Sequence, residues 1–111
     1  MKKVIIESPF AGDVKKNVEY ARMCMRDSLL RGEAPFASHL LYTQPGILDD
    51  TVPEERKWGI EAGLIWGKGA KLTAVYTDLG ITDGMKFGIE RAKKEGRPVE
   101  YRKTFKKFKK S

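Results

Sequence analysis

The sequence predicts an α/β domain on a mainly parallel sheet of four to five strands flanked by helices. Three observations predict it. Short apolar runs of strand type alternate with longer stretches of helical periodicity along almost the whole chain. Glycine and proline stand at the joints, at Pro9, Gly12, Gly32, Gly67, Gly69, Gly96 and Pro98. Strands that alternate with helices are laid side by side by right-handed crossovers, which makes neighbouring strands parallel. A chain of 111 residues with 41% apolar side chains is one domain, able to bury a core without disulfides.

Each element has its own signature. Lys3 to Ile6 is a short strand closed by Pro9 and Gly12. Asp13 caps a helix whose Val14, Val18, Ala21, Met25 and Leu29 recur at spacings of three and four, an inward stripe that Gly32 ends. Ala34 to Ser38 is the second strand. A polar loop through Gln44, Pro45, Gly46, Asp49 and Asp50 leads to Thr51 and Glu54, the spacing of a capping box. The helix behind it points Trp58, Ala62 and Ile65 inward and stops at Gly67 and Gly69. Leu72 to Tyr76 is the third strand and Thr77 to Asp83 its loop. Gly84 to Glu95 forms a helix with Met85, Ile89 and Ala92 inward, and Pro98 to Tyr101 a fourth strand.

Charge divides the chain into a body, 1–102, and a basic tail, 103–111. The net charge is +7, but six of the 22 cations lie between Arg102 and Ser111, leaving 16 cations against 15 acids in the rest. A nearly neutral body is a poor nucleic-acid surface, so nucleic acid is expected only through the tail. Phe105 and Phe108 in the tail either form one face of a short arm or dock on the body or a second subunit. Cys24 is the only cysteine, which excludes an internal disulfide and places the protein in a reducing, cytoplasmic setting. Met1-Lys2-Lys3 runs straight into a strand, without the pattern of a secretory signal, and no apolar run approaches the roughly 20 residues needed to cross a bilayer. The aromatic and methionine surplus, with Trp58, Trp66, Met23, Met25, Phe87, Phe105 and Phe108, points to a homodimer or larger homo-oligomer.

In open parallel sheets ligands bind beyond the carboxyl ends of the strands. Loops 7–13, 39–51 and 77–84 therefore converge on one expected site holding Ser8, Asp13, His39 and Asp83. Ser8-Pro9-Phe10-Ala11-Gly12-Asp13 offers a hydroxyl, freed N–H groups and a helix N-terminus to a phosphate or a ribose; it is equally an ordinary turn capped by Asp13. His39, the only histidine, either bonds a ligand or is satisfied by backbone at a strand end. Thr82-Asp83-Gly84-Met85 presents a second helix start. No His-x-x-x-His or cysteine-rich spacing exists, so neither metal nor cofactor is expected. Cys24 is read as packing. Gly88, inside a helix, costs about 1 kcal/mol against alanine, so close packing or a ligand must offset it.

Three segments together, Ser8-Pro9-Phe10-x-Gly12-Asp13, Pro35-x-Ala37-x-His39 and Gly84-Met85-x-x-x-Ile89-Glu90-x-Ala92-Lys93-x-x-Gly96-x-Pro98-Val99, resemble the nucleoside 2-deoxyribosyltransferase-like superfamily over residues 1–102, in particular its small bacterial and phage branch. The resemblance implies a flavodoxin-like three-layer sandwich, oligomers, and cleavage or exchange of an N-glycosidic bond. It also implies binding positions at Ser8, Pro9, Phe10, Gly12, Asp13, His39, Asp83, Gly84, Met85 and Gly88. The family's nucleophilic glutamate would fall at Gly88, where no carboxylate exists, and Glu90 lies about 200° round the helix. Asp83 and Glu61 are the candidate substitutes.

Two functions follow. One is binding of a nucleotide or nucleotide-derived ligand without catalysis, a signalling nucleotide if the source is a phage. The other is an N-glycosidase or deoxyribosyltransferase working through a displaced carboxylate.

Overall fold

The computed structural model describes residues 1–104, so the expectations for Phe105 and Phe108 lie outside the described residues. Four strands, β1 (Lys3–Glu7), β2 (Ala34–Phe36), β3 (Leu72–Tyr76) and β4 (Val99–Arg102), form one sheet in the order β2-β1-β3-β4 with every pair parallel. The helices are α1 (Val14–Leu30), α2 (Ser38–Leu41), α3 (Pro53–Trp66) and α4 (Asp83–Lys94). This is the expected three-layer α/β fold. Val4, Ile6, Ala74 and Tyr76 pack with Tyr20 and Cys24 of α1 on one face, and Val75 packs with Met85 and Ile89 of α4 on the other. No helix among the described residues is long and apolar enough to cross a membrane.

Asp13 caps α1 as its position predicts, accepting from the Lys16 N–H at 3.2 Å, and Gly32 closes that helix with φ +80°. The buried face of α1 differs from the apolar stripe, however. Val14 and Leu29 are 43% and 52% exposed, whereas Asn17, Tyr20, Ala21, Cys24, Asp27 and Ser28 are buried. The polar members of that face are there because each has a partner. The Asn17 amide donates to the carbonyls of Phe10 and Ala11, Ser28 Oγ donates to Glu33, and Asp27 accepts from the Tyr76 hydroxyl. Burial pushes the Cys24 thiol up, which makes it an inert packing group.

Two further expectations are corrected. The second strand ends at Phe36, and Ser38 to Leu41 turns into α2 instead of extending it. Thr51 and Glu54 form no capping box: α3 starts with Val52 as a cap without a side-chain bond and Pro53 in its first turn, where a missing N–H costs least. Thr51 bonds Asp49 instead.

The inward face of α3 is also reversed. Trp58 and Ile65 are more than half exposed, Ala62 is half-buried, and no residue of α3 is buried; Trp66, also mostly exposed, sets its ring 6.4 Å from that of Phe36. Its inner ridge is made of glycines at spacings of four. A Cβ on Gly59 would lie 3.3 Å from Leu48 Cδ1, one on Gly63 would collide with Ser38, and one on Gly67 would touch Ile5 at 3.6 Å. Close approach of backbone replaces side-chain interdigitation, so the bulky residues are left on the opposite side.

Candidate functional site

A cavity of about 340 Å³ opens at the carboxyl ends of β1, β2 and β3. The β1 loop gives it Glu7, Ser8 and Phe10, α2 gives Ser38 and His39, the first turns of α3 give Arg56 and Ile60, and the start of α4 gives Asp83, Gly84 and Met85. These are the loops expected to converge.

Of the residues singled out from sequence, Ser8, Phe10, His39, Asp83, Gly84 and Met85 line this cavity. Gly12 lines an adjoining shallow depression, and Pro9 and Asp13 line neither. Asp13 is engaged in capping α1. Asp83 is fully solvated, its side chain 98% exposed beside Lys86. Glu61 is exposed on α3 and borders no cavity in this part of the fold. Gly88 faces a small groove between α3 and α4 that meets the main cavity at Glu7.

Glu7, the first residue of the first loop, is one to which sequence reasoning gave no role. It ends β1, and its side chain reaches across to α4 until its carboxyl fills the space beside Gly88, where a Cβ would lie 2.9 Å from Oε1 and closer still to Oε2. This contact explains the glycine in α4. Burial pushes the carboxyl up to about 8, against the opposing pull of the Arg97 guanidinium. Arg97 is itself committed, donating to Thr73 Oγ1, the Gly67 carbonyl and Glu95. The signal available in the sequence was an acid at the carboxyl end of an apolar strand opposite a helix glycine, but only the fold reveals that the two meet.

Beside Glu7, Ser8 Oγ and His39 Nε2 share a hydrogen bond of 2.6 Å. Burial pushes the His39 imidazolium down to about 4, so the ring is neutral near pH 7 and the pair carries no charge. At α4 the Thr82 side chain accepts from the Met85 N–H at 3.3 Å. Across from it Arg56 reaches within 3.4 Å of where a Cβ on Gly84 would stand. Asp50 at the rim is raised by burial, with Arg56 opposing. Among the described lining side chains, Glu7, Asp50, Glu55 and Asp83 are acids and Arg56 is the one cation. Asp78 takes no part, because it is held by Tyr20 and by the Thr104 N–H. Among the described residues no group of three or more His, Cys, Asp or Glu is arranged to hold a metal ion.

A family model described as a domain of unknown function (DUF7768) matches residues 2–102. No curated protein matches the chain. The solved structure of a 2-deoxyribosyltransferase from the psychrotolerant bacterium Bacillus psychrosaccharolyticus is similar with a TM-score of 0.59 and 22% identity, over 96% of this chain and 77% of that one. At that identity the shared property is the fold.

Proposed function

The chain belongs to the DUF7768 family, a domain of unknown function, and we propose that it binds a nucleoside and cleaves or exchanges its N-glycosidic bond, with Glu7 as the carboxyl at the anomeric carbon. One observation carries this reading: a carboxyl stands at the floor of the cavity, in the space that a side chain at position 88 would take. The 2-deoxyribosyltransferase that shares this fold lends support to a nucleoside as ligand.

The chemistry needs a carboxylate because positive charge develops at the anomeric carbon as the bond to the base lengthens. Ionised Glu7 attacks that carbon, the C–N electron pair leaves with the base, and the base takes up a proton. Water or a second base then displaces the glycosyl ester and returns the carboxylate. The neutral Ser8–His39 pair suits sugar hydroxyls, since it bonds without adding charge. Asp50, Glu55 and Asp83 against the one cation, Arg56, favour an uncharged nucleoside over its phosphate esters.

A second reading, binding without turnover, is favoured by the elevated Glu7, most of which is protonated at pH 7. The test is incubation of the full chain with purine and pyrimidine nucleosides, their 2′-deoxy forms and their 5′-phosphates, with free base followed by chromatography. Base released by the wild type and lost in Glu7→Gln supports the enzyme. Saturable binding with no free base establishes the second reading, and release that survives Glu7→Gln removes Glu7 from the mechanism.

A further inference from the structure

Three polar side chains on the groove between α3 and α4 keep atoms without a protein partner. The groove, of about 70 Å³, runs from Glu7 and Ser38, which it shares with the main cavity, to Gly67 and Arg97. Among the described residues the Glu7 carboxyl and the Ser38 hydroxyl make no hydrogen bond. Arg97 uses Nε on Thr73 and Nη1 on the Gly67 carbonyl and Glu95, and leaves Nη2 unused. Yet among those residues no side-chain nitrogen or oxygen sealed from solvent lacks a partner, so the unused atoms each border space that water enters.

A carboxyl out of bulk water needs a donor, most of all when it ionises. Arg97 is the cation that acts on Glu7, but the two form no ion pair, and the pairing of Arg97 goes to Glu95. A polar contact across a gap of that kind is made by water. The groove has room for about two molecules, each needing about two to four polar partners. Between the apolar walls of Ile5, Phe36, Leu64 and Phe87 those partners are Glu7, Ser38 and Arg97. The other charged or titratable groups around the carboxyl are the neutral His39 on α2, Arg56 and Glu55 on α3, and Asp50 at the cavity rim. Helix α4 brings only Gly84 and Gly88 to it, since Asp83 is in solvent.

We infer that water in this groove joins Arg97 to the Glu7 carboxyl, which makes Arg97 a positioning residue for that carboxyl. Ser38 holds the water at the cavity end. Gly88 borders the groove and not the cavity, so the carboxyl that lies against it turns one side to each space. A ligand in the cavity displaces water from one side only. With a nucleoside there, the reading on which this step rests, the groove water is what still donates to Glu7 as it ionises.

Carbon-13 NMR titration of the full chain labelled at its glutamate carboxyls, without nucleoside, is the test, with the Glu7 signal assigned by Glu7→Gln. A Cβ on Gly67 would make only ordinary contacts, from 3.4 Å to the Leu64 carbonyl to 3.6 Å to Ile5, so Gly67→Ala puts a methyl group into the groove and leaves the helices in place. It moves the Glu7 midpoint up by about half a unit or more, and Arg97→Met moves it up by about one unit, with Arg97→Lys closer to wild type. In the Gly67→Ala background Arg97→Met adds less than it does alone, because the link is already cut. A midpoint indifferent to Gly67→Ala overturns the inference, and so does full additivity, since Arg97 then acts through space alone. A crystal structure fine enough to place waters, with none in the groove within hydrogen-bond reach of Glu7, overturns it as well, even where the Arg97 variants fail to fold. No nucleoside enters these measurements, so a chain that cleaves nothing can meet them and an active enzyme can fail them.

Discussion

The Glu7 carboxyl occupies the space that a side chain at Gly88 would need: a Cβ there would lie 2.9 Å from Glu7 Oε1 and nearer to Oε2. A strand end places its carboxyl where a helix side chain would stand, and the helix yields by carrying glycine.

Gly88→Ala separates the two roles of that contact. The atoms in the way are the far end of a flexible side chain, not backbone, so the carboxyl swings aside at small cost. Alanine meanwhile gains up to about 1 kcal/mol of helix propensity. The melting temperature is expected within about 5 °C of wild type, while base release falls at least about tenfold because the carboxyl has left its place. Thermal melts and single-turnover assays check the two halves, and wild-type turnover would show that the position of Glu7 does not matter.

Glu7 also makes stability depend on pH. Its carboxyl is raised from the ordinary value of 4.5 to about 8 in the fold, so between those values the folded chain holds a proton that the unfolded chain has released. The stabilisation that the bound proton provides is complete below pH 4.5 and is lost as pH rises to about 8, at about 1.4 kcal/mol per unit. Glu7→Gln has no such proton to lose. Urea unfolding at pH 5 and pH 8 is expected to show the variant gaining on wild type by up to a few kcal/mol; a constant difference would place the carboxyl in water.

Much of the fold was legible because it rests on periodicity. The four strands and the cap at Asp13 follow from patterns internal to each segment, as do the inward Met85, Ile89 and Ala92 of α4. What was not legible depends on partners distant in sequence. The polar face of α1 is buried only because Tyr76, Glu33 and two carbonyls wait for it. The face of α3 was misjudged because a glycine ridge reads as a weak helix until a neighbour is pressed against it. Loops 7–13, 39–51 and 77–84 do gather around one cavity, but Glu7, the first residue of the first loop, received no role beside Asp83 and Glu61, since nothing local distinguishes an acid that ends a strand.

Gly63→Ala tests the ridge. A Cβ there would sit 2.6 Å from Ser38 Cβ and 2.7 Å from its Oγ, and the Cβ of Ser38 cannot move without its backbone. The two helices must part, at about 1–3 kcal/mol. Since Ser38 and the first turns of α3 both line the cavity, nucleoside affinity measured by calorimetry is expected to fall with stability. An unchanged melting temperature would mean that α3 is free to shift.

The buried pair Arg102–Glu33 ties β4 to the loop before β2. It is bidentate, with both N–O distances at 2.7 Å and side chains only 4% and 8% exposed. Arg102 holds the Glu33 carboxyl below its usual range. Arg102→Leu strands that carboxylate without its cation and is expected to cost about 3–5 kcal/mol. Arg102→Leu with Glu33→Leu leaves neither charge of the buried pair behind, only the half-exposed Glu100, and should recover a large part, read as the coupling in a double-mutant cycle of urea midpoints.

The pH profile of turnover decides what Glu7 does. A nucleophile must be ionised, and with the carboxyl at about 8 roughly one molecule in ten is ionised at pH 7. The rate is therefore expected to rise about tenfold per pH unit below 8 and to flatten above it. His39 adds no inflexion between pH 6 and 9, because burial holds its change of charge near 4. If Glu7 instead gives its proton to the leaving base, the protonated form is the active one and the same profile runs flat below 8 and falls above. The limb that appears in kcat/KM between pH 6 and 9 thus assigns the carboxyl as attacking group or proton donor, and loss of that limb in Glu7→Gln, with any residual rate flat, ties it to this residue. A wild-type profile without an inflexion near 8 would mean that another group limits the reaction.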